Sequence, residues 1–71
     1  MRFMVNLIYD PEYAGYVADV PELPGCMSQG KTVEEAVANV KEAIALYLEA
    51  SPDREAHAQA QPAALTTTVE V

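Results

Sequence analysis

The chain has little that is basic and little that binds metal: four Lys and Arg residues, one histidine and one cysteine among 71 amino acids. One cysteine excludes an internal disulfide, and one Cys with one His cannot supply the four ligands of a structural zinc site. Four basic residues against eleven acidic ones give a net charge of −7, whereas contacts to nucleic-acid phosphates need clustered Lys and Arg. We therefore predict no metal, no cofactor and no direct nucleic-acid binding.

Long hydrophobic runs are absent too. No apolar stretch approaches the roughly 20 residues of a membrane span, and residues 1–6 lack the apolar core of a signal peptide. Together with the lone Cys26, this predicts a cytoplasmic protein with no membrane partner. A domain this small buries a smaller fraction of its surface on folding than a larger domain does. It usually needs further stabilisation from a disulfide, a metal ion or oligomerisation. Because disulfides and zinc are excluded, we predict a homo-oligomer, either a dimer or a tetramer.

The first half of the chain predicts three strands. Phe3, Val5 and Leu7 alternate with other residues as the period of a strand requires, and a turn at Pro11 leads into a second alternating stretch. The segment Pro21–Gly25 contains two prolines and predicts a rigid corner, because proline cannot donate to a central ladder. The predicted strands cover residues 2–9, 15–20 and 26–29.

The second half predicts one helix over residues 32–50 and a last strand over residues 65–71. Thr32 and Glu35 match the capping box at a helix start. Residues 53–64 contain no large apolar side chain and predict a linker. The apolar residues of the helix recur at steps of three and four, which makes one stripe: Val33, Val37, Val40, Ile44, Tyr47 and Leu48.

These elements predict a single α+β domain over residues 1–71, in the order β-β-β-α-β. If the three strands form a meander and the helix makes a right-handed crossover, the last strand runs parallel to the first. The result is a small mixed sheet of spatial order 3-2-1-4, covered by the helix on one face. The other face, with Met4, Ile8 and Val17, is left bare, which is a second reason to expect self-association.

Candidate catalytic groups are few. Four carboxylates could hold Mg²⁺ for phosphoryl transfer: Asp10, Glu12, Asp19 and Glu22. The sequence, however, places them at turns and strand ends rather than on one element. Cys26 has no neighbouring His to lower its pKa, so we predict a buried structural thiol. His57 falls in the predicted linker, where a general base cannot be positioned. We predict that the protein is not an enzyme.

Two motifs follow each other at fixed spacing in the middle of the chain. P-x-L-P-G-C stands at Pro21–Cys26, and G-x-T-x-x-E-A-x-x-N-x-x-E-A runs from Gly30 to Ala43. With the first strand, residues 2–50 resemble the HicB-like antitoxin family. The resemblance implies a partial ribonuclease-H-like fold and a protein that binds and neutralises a small basic RNA-cleaving toxin, HicA-like. We expect a stand-alone member that lacks the C-terminal DNA-binding segment found in other members.

Partner contacts are predicted from charge and expected exposure alone. The candidates are Asp19 and Glu22 near the corner after the second strand, and Glu34, Glu42 and Glu49 on the polar side of the helix. Two other functions remain open at this stage. One is a homo-oligomeric structural or regulatory domain, and the other is a residual Mg²⁺-dependent nuclease built on Asp10.

Overall fold

A computed structural model describes residues 1–50 and 65–71, which form four strands and one helix. The predicted linker at residues 53–64 lies outside the described residues. The elements are β1 (Arg2–Asp10), β2 (Gly15–Asp19), β3 (Met27–Gly30), α1 (Val33–Ala50) and β4 (Leu65–Glu70).

The strands form one sheet in the order β3-β2-β1-β4, which confirms the predicted α+β class and spatial order. β1 is central and pairs with β2 on one side and β4 on the other. The ribonuclease-H-like part of the prediction stays a prediction.

The direction of β4 was predicted wrongly. β4 is antiparallel to β1, with Arg2 opposite Glu70 and Leu7 opposite Leu65, so the sheet is wholly antiparallel rather than mixed. The prediction assumed that the chain enters β4 at the end of the sheet where the helix stops. At about 3.3 Å per extended residue, the chain from Ala50 to Leu65 is long enough to return along the roughly 27 Å of the helix. The direction of β4 is therefore not fixed by the crossover.

Charges at the chain ends favour the antiparallel direction. It places the Glu70 carboxylate 2.9 Å from the N-terminal ammonium and 3.5 Å from Nε of Arg2. The ammonium lowers the pKa of Glu70, first through its hydrogen bond and then through its charge. A parallel β4 would instead bring Leu65 to this end of β1.

The core lies between α1 and the face of the sheet that carries the odd-numbered residues of β1. Phe3, Val5 and Leu7 are buried there, together with Val40 and Ile44 of the helix. Leu23 is fully buried as well, so the proline-rich corner closes one end of this core. We call the other side of the sheet the open face. Among the described residues no element covers it, and Met4 and Met27 are about half exposed there, at 47% and 49%.

The start of α1 is fixed by hydrogen bonds that the sequence predicts in part. Oγ1 of Thr32 accepts the main-chain N–H of Glu35 at 3.0 Å, as in a capping box. The Glu35 carboxylate, however, accepts the N–H of Lys31 at 2.9 Å rather than that of Thr32. The reciprocal bond is thus shifted by one residue and ties the end of β3 to the first turn of the helix.

Gly30 sets the distance between the helix and the sheet. A Cβ atom at Gly30 would lie 2.4 Å from the main-chain nitrogen of Ala36 and 2.7 Å from the carbonyl carbon of Glu35. Both atoms belong to the backbone of α1 and cannot rotate away. The helix therefore packs directly on the main chain of β3, and only glycine fits at this position.

We expect Gly30→Ala to destabilise the protein by about 3 kcal/mol or more, because the clash forces the helix away from the sheet. Urea unfolding followed by circular dichroism measures this. Gly25→Ala is the matched control: a Cβ there has no neighbour within 4 Å, but its φ of +81° makes the change cost about 1–2 kcal/mol. Equal losses in the two variants would contradict the close approach at Gly30.

Candidate functional site

The solvent side of α1 carries three of the five predicted contact residues. Glu34, Glu42 and Glu49 are all exposed, and at 3.6 residues per turn they lie within about 80° of one another around the helix axis. The first turn is acidic and the last turn has no basic residue. The three carboxylates therefore form one negative strip along the helix.

Small and apolar residues lie between these acids. Ala38 and Ala45 are exposed beside the carboxylates, and the side chain of Leu46 is 65% exposed. The sequence prediction missed Leu46. Its signal was present, because Leu46 is a large apolar residue outside the stripe that faces the sheet. We call Glu34, Glu42, Leu46 and Glu49 the acidic helix surface.

Glu22 has a structural role that charge alone does not reveal. It is half-buried, and its Oε1 accepts the main-chain N–H of Met4 at 2.7 Å. β2 ends at Asp19, so beyond it β1 has no strand partner on this side. The Glu22 side chain satisfies the N–H of Met4 in place of that strand, and it lies on the opposite side of the core from the acidic helix surface.

Asp19 was predicted to be an exposed acid and is buried, with only 7% of the residue accessible. It stands at the end of β2, opposite Asn6 on one side and Met27 on the other. Burial raises the pKa of its carboxyl above the ordinary value of 3.8. Strand alternation correctly indicates the open face for Asp19 but does not show that neighbouring residues enclose it.

Cys26 is buried beside this carboxylate, as the sequence predicts. Burial raises the pKa of the thiol, and the negative charge of Asp19 raises it further. Main-chain hydrogen bonds close the corner around it: Cys26 donates to the carbonyl of Leu23 at 2.9 Å and accepts from Val20 at 3.0 Å. The thiol therefore stays protonated in a closed loop and lacks the thiolate character of a nucleophile.

Asp10 uses its carboxylate in a turn. Its Oδ1 accepts the main-chain N–H groups of Glu12 at 3.0 Å and Tyr13 at 3.3 Å. Within residues 1–50 and 65–71, no three His, Cys, Asp or Glu side chains converge as a metal site requires. His57 lies outside the described residues. The geometry thus gives the nuclease alternative no support.

The basic groups in the described part of the chain are scattered. Nζ of Lys31 lies 3.8 Å from the ring centroid of Tyr13 and donates to its carbonyl oxygen, while Arg2 pairs with Glu70. Lys41 lies on α1 beside the acids. These positions form no basic patch of the kind that binds phosphates. Of the helices described, none has the length and apolar character to cross a membrane.

Comparison with known proteins shows the family to which this chain belongs. Residues 3–70 match the family described as the HicB-like antitoxin of bacterial toxin–antitoxin systems. The chain belongs to the HicB-like antitoxin family. This confirms the resemblance seen in the motifs of residues 2–50 and extends it through β4.

Relatives of this HicB-like chain occur in bacteria and archaea. A UPF0150 protein of Helicobacter pylori is 53% identical over 45 residues, which are 63% of this chain and 62% of that protein. A UPF0150 protein of Thermoplasma acidophilum is 51% identical over 49 residues, 69% of this chain and 70% of its own length. The HicB-like chain thus spans slightly under two thirds of the first relative and slightly over two thirds of the second.

We expect Asp19→Asn to stabilise the protein at pH 7. Because burial raises the pKa of Asp19, the cost of its charge is fully present above that pKa and vanishes below the ordinary value of 3.8. The advantage of the variant over the parent should therefore shrink as the pH falls from 7 to 4, as measured by urea unfolding at several pH values.

Glu42→Gln is the control for this series, since Glu42 is an exposed acid on the helix. We expect it to change the free energy of unfolding by no more than about 0.5 kcal/mol. If Asp19→Asn brings an equal advantage at every pH, or none at pH 7, burial does not penalise the carboxylate.

Proposed function

We propose that this protein is an antitoxin that binds and neutralises a small basic RNA-cleaving toxin of the HicA-like kind, through the acidic helix surface. Membership of the HicB-like family supports the class of function. The exposed strip of Glu34, Glu42 and Glu49 is the observation that supports the site. The proposal includes the predicted cytoplasmic location and assigns no enzymatic activity.

Electrostatics explains why this surface suits such a partner. A protein that cleaves RNA must attract phosphates, so its working surface is basic. A row of carboxylates on a rigid helix presents negative charge to the same basic groups. When the antitoxin occupies those basic groups, RNA can no longer bind them. Neutralisation then follows because the antitoxin and RNA compete for one surface of the toxin.

The neighbours of the acids also favour contact. Ala38 and Ala45 leave space beside the carboxylates into which long Lys and Arg side chains fit. Leu46 is the one large apolar group of the acidic helix surface. Apolar anchors at the centre of an interface often carry much of the binding energy, whereas rim charges mainly set the association rate.

Self-association is the second part of the proposal. Met4 and Met27 are about half exposed on the open face, and Ile8 and Val17 are half-buried there. For a domain of 71 residues this is a substantial apolar surface to leave in water. We propose a homo-oligomer, a dimer or a tetramer, that forms independently of the toxin.

We expect the triple variant Glu34→Gln, Glu42→Gln, Glu49→Gln to bind a small basic HicA-like protein more slowly than the parent does. Exposed charges steer encounter and are screened over about 8 Å in physiological salt. Stopped-flow mixing should show an association rate at least about tenfold lower at low ionic strength, and a weaker dependence on salt.

The matched control changes one charge at a time. Glu42→Gln should slow association more than Glu12→Gln, because Glu12 is also exposed but lies in the β1–β2 turn. Equal effects would show that net charge, rather than the acidic helix surface, attracts the partner. Absence of any complex with a HicA-like protein from the same organism would overturn the proposed function itself.

A further inference from the structure

The outer edge of β4 presents main-chain groups in a defined pattern. Met1 and Val71 exchange two hydrogen bonds, of 2.8 Å and 2.7 Å. Bonded and non-bonded pairs alternate in an antiparallel ladder, so Phe3–Val69 and Val5–Thr67 are also bonded pairs. The N–H and C=O groups of Thr66, Thr68 and Glu70 therefore point away from β1, and no described residue pairs with them.

This edge lacks the features that protect edge strands from pairing. β4 contains no proline and no lysine, and its register with β1 is continuous from Leu65 to Glu70, without a bulge. Three threonines and a valine give it high strand propensity. β3, at the other edge, has only four residues and lies against α1 through Gly30. The strand best suited to accept a further strand is β4.

The edge carries little net charge although the protein is acidic. Glu70 is matched by Arg2 and by the N-terminal ammonium, and the other residues of β4 are uncharged. The net charge of −7 is concentrated elsewhere, including the acidic helix surface. A second acidic copy therefore meets little repulsion at β4, whereas the helix favours a basic partner.

We propose that β4 pairs with β4 of a second copy of this chain, antiparallel and across a two-fold axis, to make one eight-stranded sheet. The inference rests on the proposed self-association and gives it a location. With Thr68 of each copy at the axis, the outward N–H and C=O groups of both strands satisfy one another. Threonine opposite threonine is a favourable cross-strand pair.

Amide hydrogen exchange on the full chain tests the pairing. Spectra are recorded at about 1 µM and about 1 mM protein, by mass spectrometry and NMR respectively, with sedimentation to count dimers. We expect the amides of Thr66 and Thr68 to exchange at least about tenfold more slowly in the dimer. The amides of Thr67 and Val69 donate to β1 and should be protected at both concentrations.

Two variants at one position separate the main chain from the side chain. Thr68→Pro removes an outward N–H without touching a hydrogen bond to β1, and proline is tolerated on edge strands. We expect it to raise the dimer dissociation constant by about tenfold or more, because both hydrogen bonds of the Thr68–Thr68 pair across the axis are lost. Thr68→Ala keeps the N–H and should leave the constant within about threefold of the parent.

The outcomes are distinct. Dimers in which Thr66 and Thr68 exchange as fast as in the monomer would overturn β4 pairing and leave self-association through the open face. A protein that stays monomeric at about 1 mM would overturn both, while toxin binding through the helix would be unaffected. If Thr68→Pro detaches β4 from β1, the amide of Val69 will lose its protection from exchange. In that case the exchange rates of Thr66 and Thr68 in the parent chain test the β4 pairing.

Discussion

The contact between one helix and one face of the sheet governs the whole structure. Gly30 allows the backbone of α1 to rest on β3, and Val40 and Ile44 then complete a core with Phe3, Val5 and Leu7. Because the described chain has no second helix, the open face of the sheet and the outer side of α1 both meet solvent. The acidic helix surface and the open face are both consequences of this one-sided packing, whereas the edge of β4 is exposed because β4 ends the sheet.

The two proposed surfaces differ in charge and therefore in the partner that each favours. The helix carries exposed carboxylates, and their charge favours a basic partner through long-range attraction. The edge of β4 is electrically balanced by the pairing of Glu70 with Arg2 and the N-terminus. Hydrogen bonding rather than charge would drive association there. The two proposed surfaces do not overlap, so the two proposed interactions do not compete.

The sequence predicts well the features that depend on residues close in the chain. It predicts poorly the burial of single side chains and the direction of a strand that follows a long connection. Residues close in the chain determine the start of the helix at Thr32, its apolar stripe and the pairing of β1 with β2 and of β2 with β3. The direction of β4 depends on a long connection and on a charge pair between chain ends. Asp19 lies on the face that alternation indicates, but its burial depends on neighbours from other strands. Glu22 looked like a free charge because its acceptor role requires β2 to stop short of Met4.

Because α1 packs directly on β3 at Gly30, the positions of Glu34, Glu42 and Glu49 along the helix axis have a fixed spacing. At 1.5 Å per residue, Glu42 stands about 12 Å beyond Glu34 and Glu49 about 10 Å further along the same axis. A ligand whose cationic groups repeat at these intervals would engage all three without ordering of the backbone, so the conformational entropy lost on this side would be that of the three Glu side chains. Discrimination among similar cationic proteins can then rest on geometry, with charge supplying only the attraction.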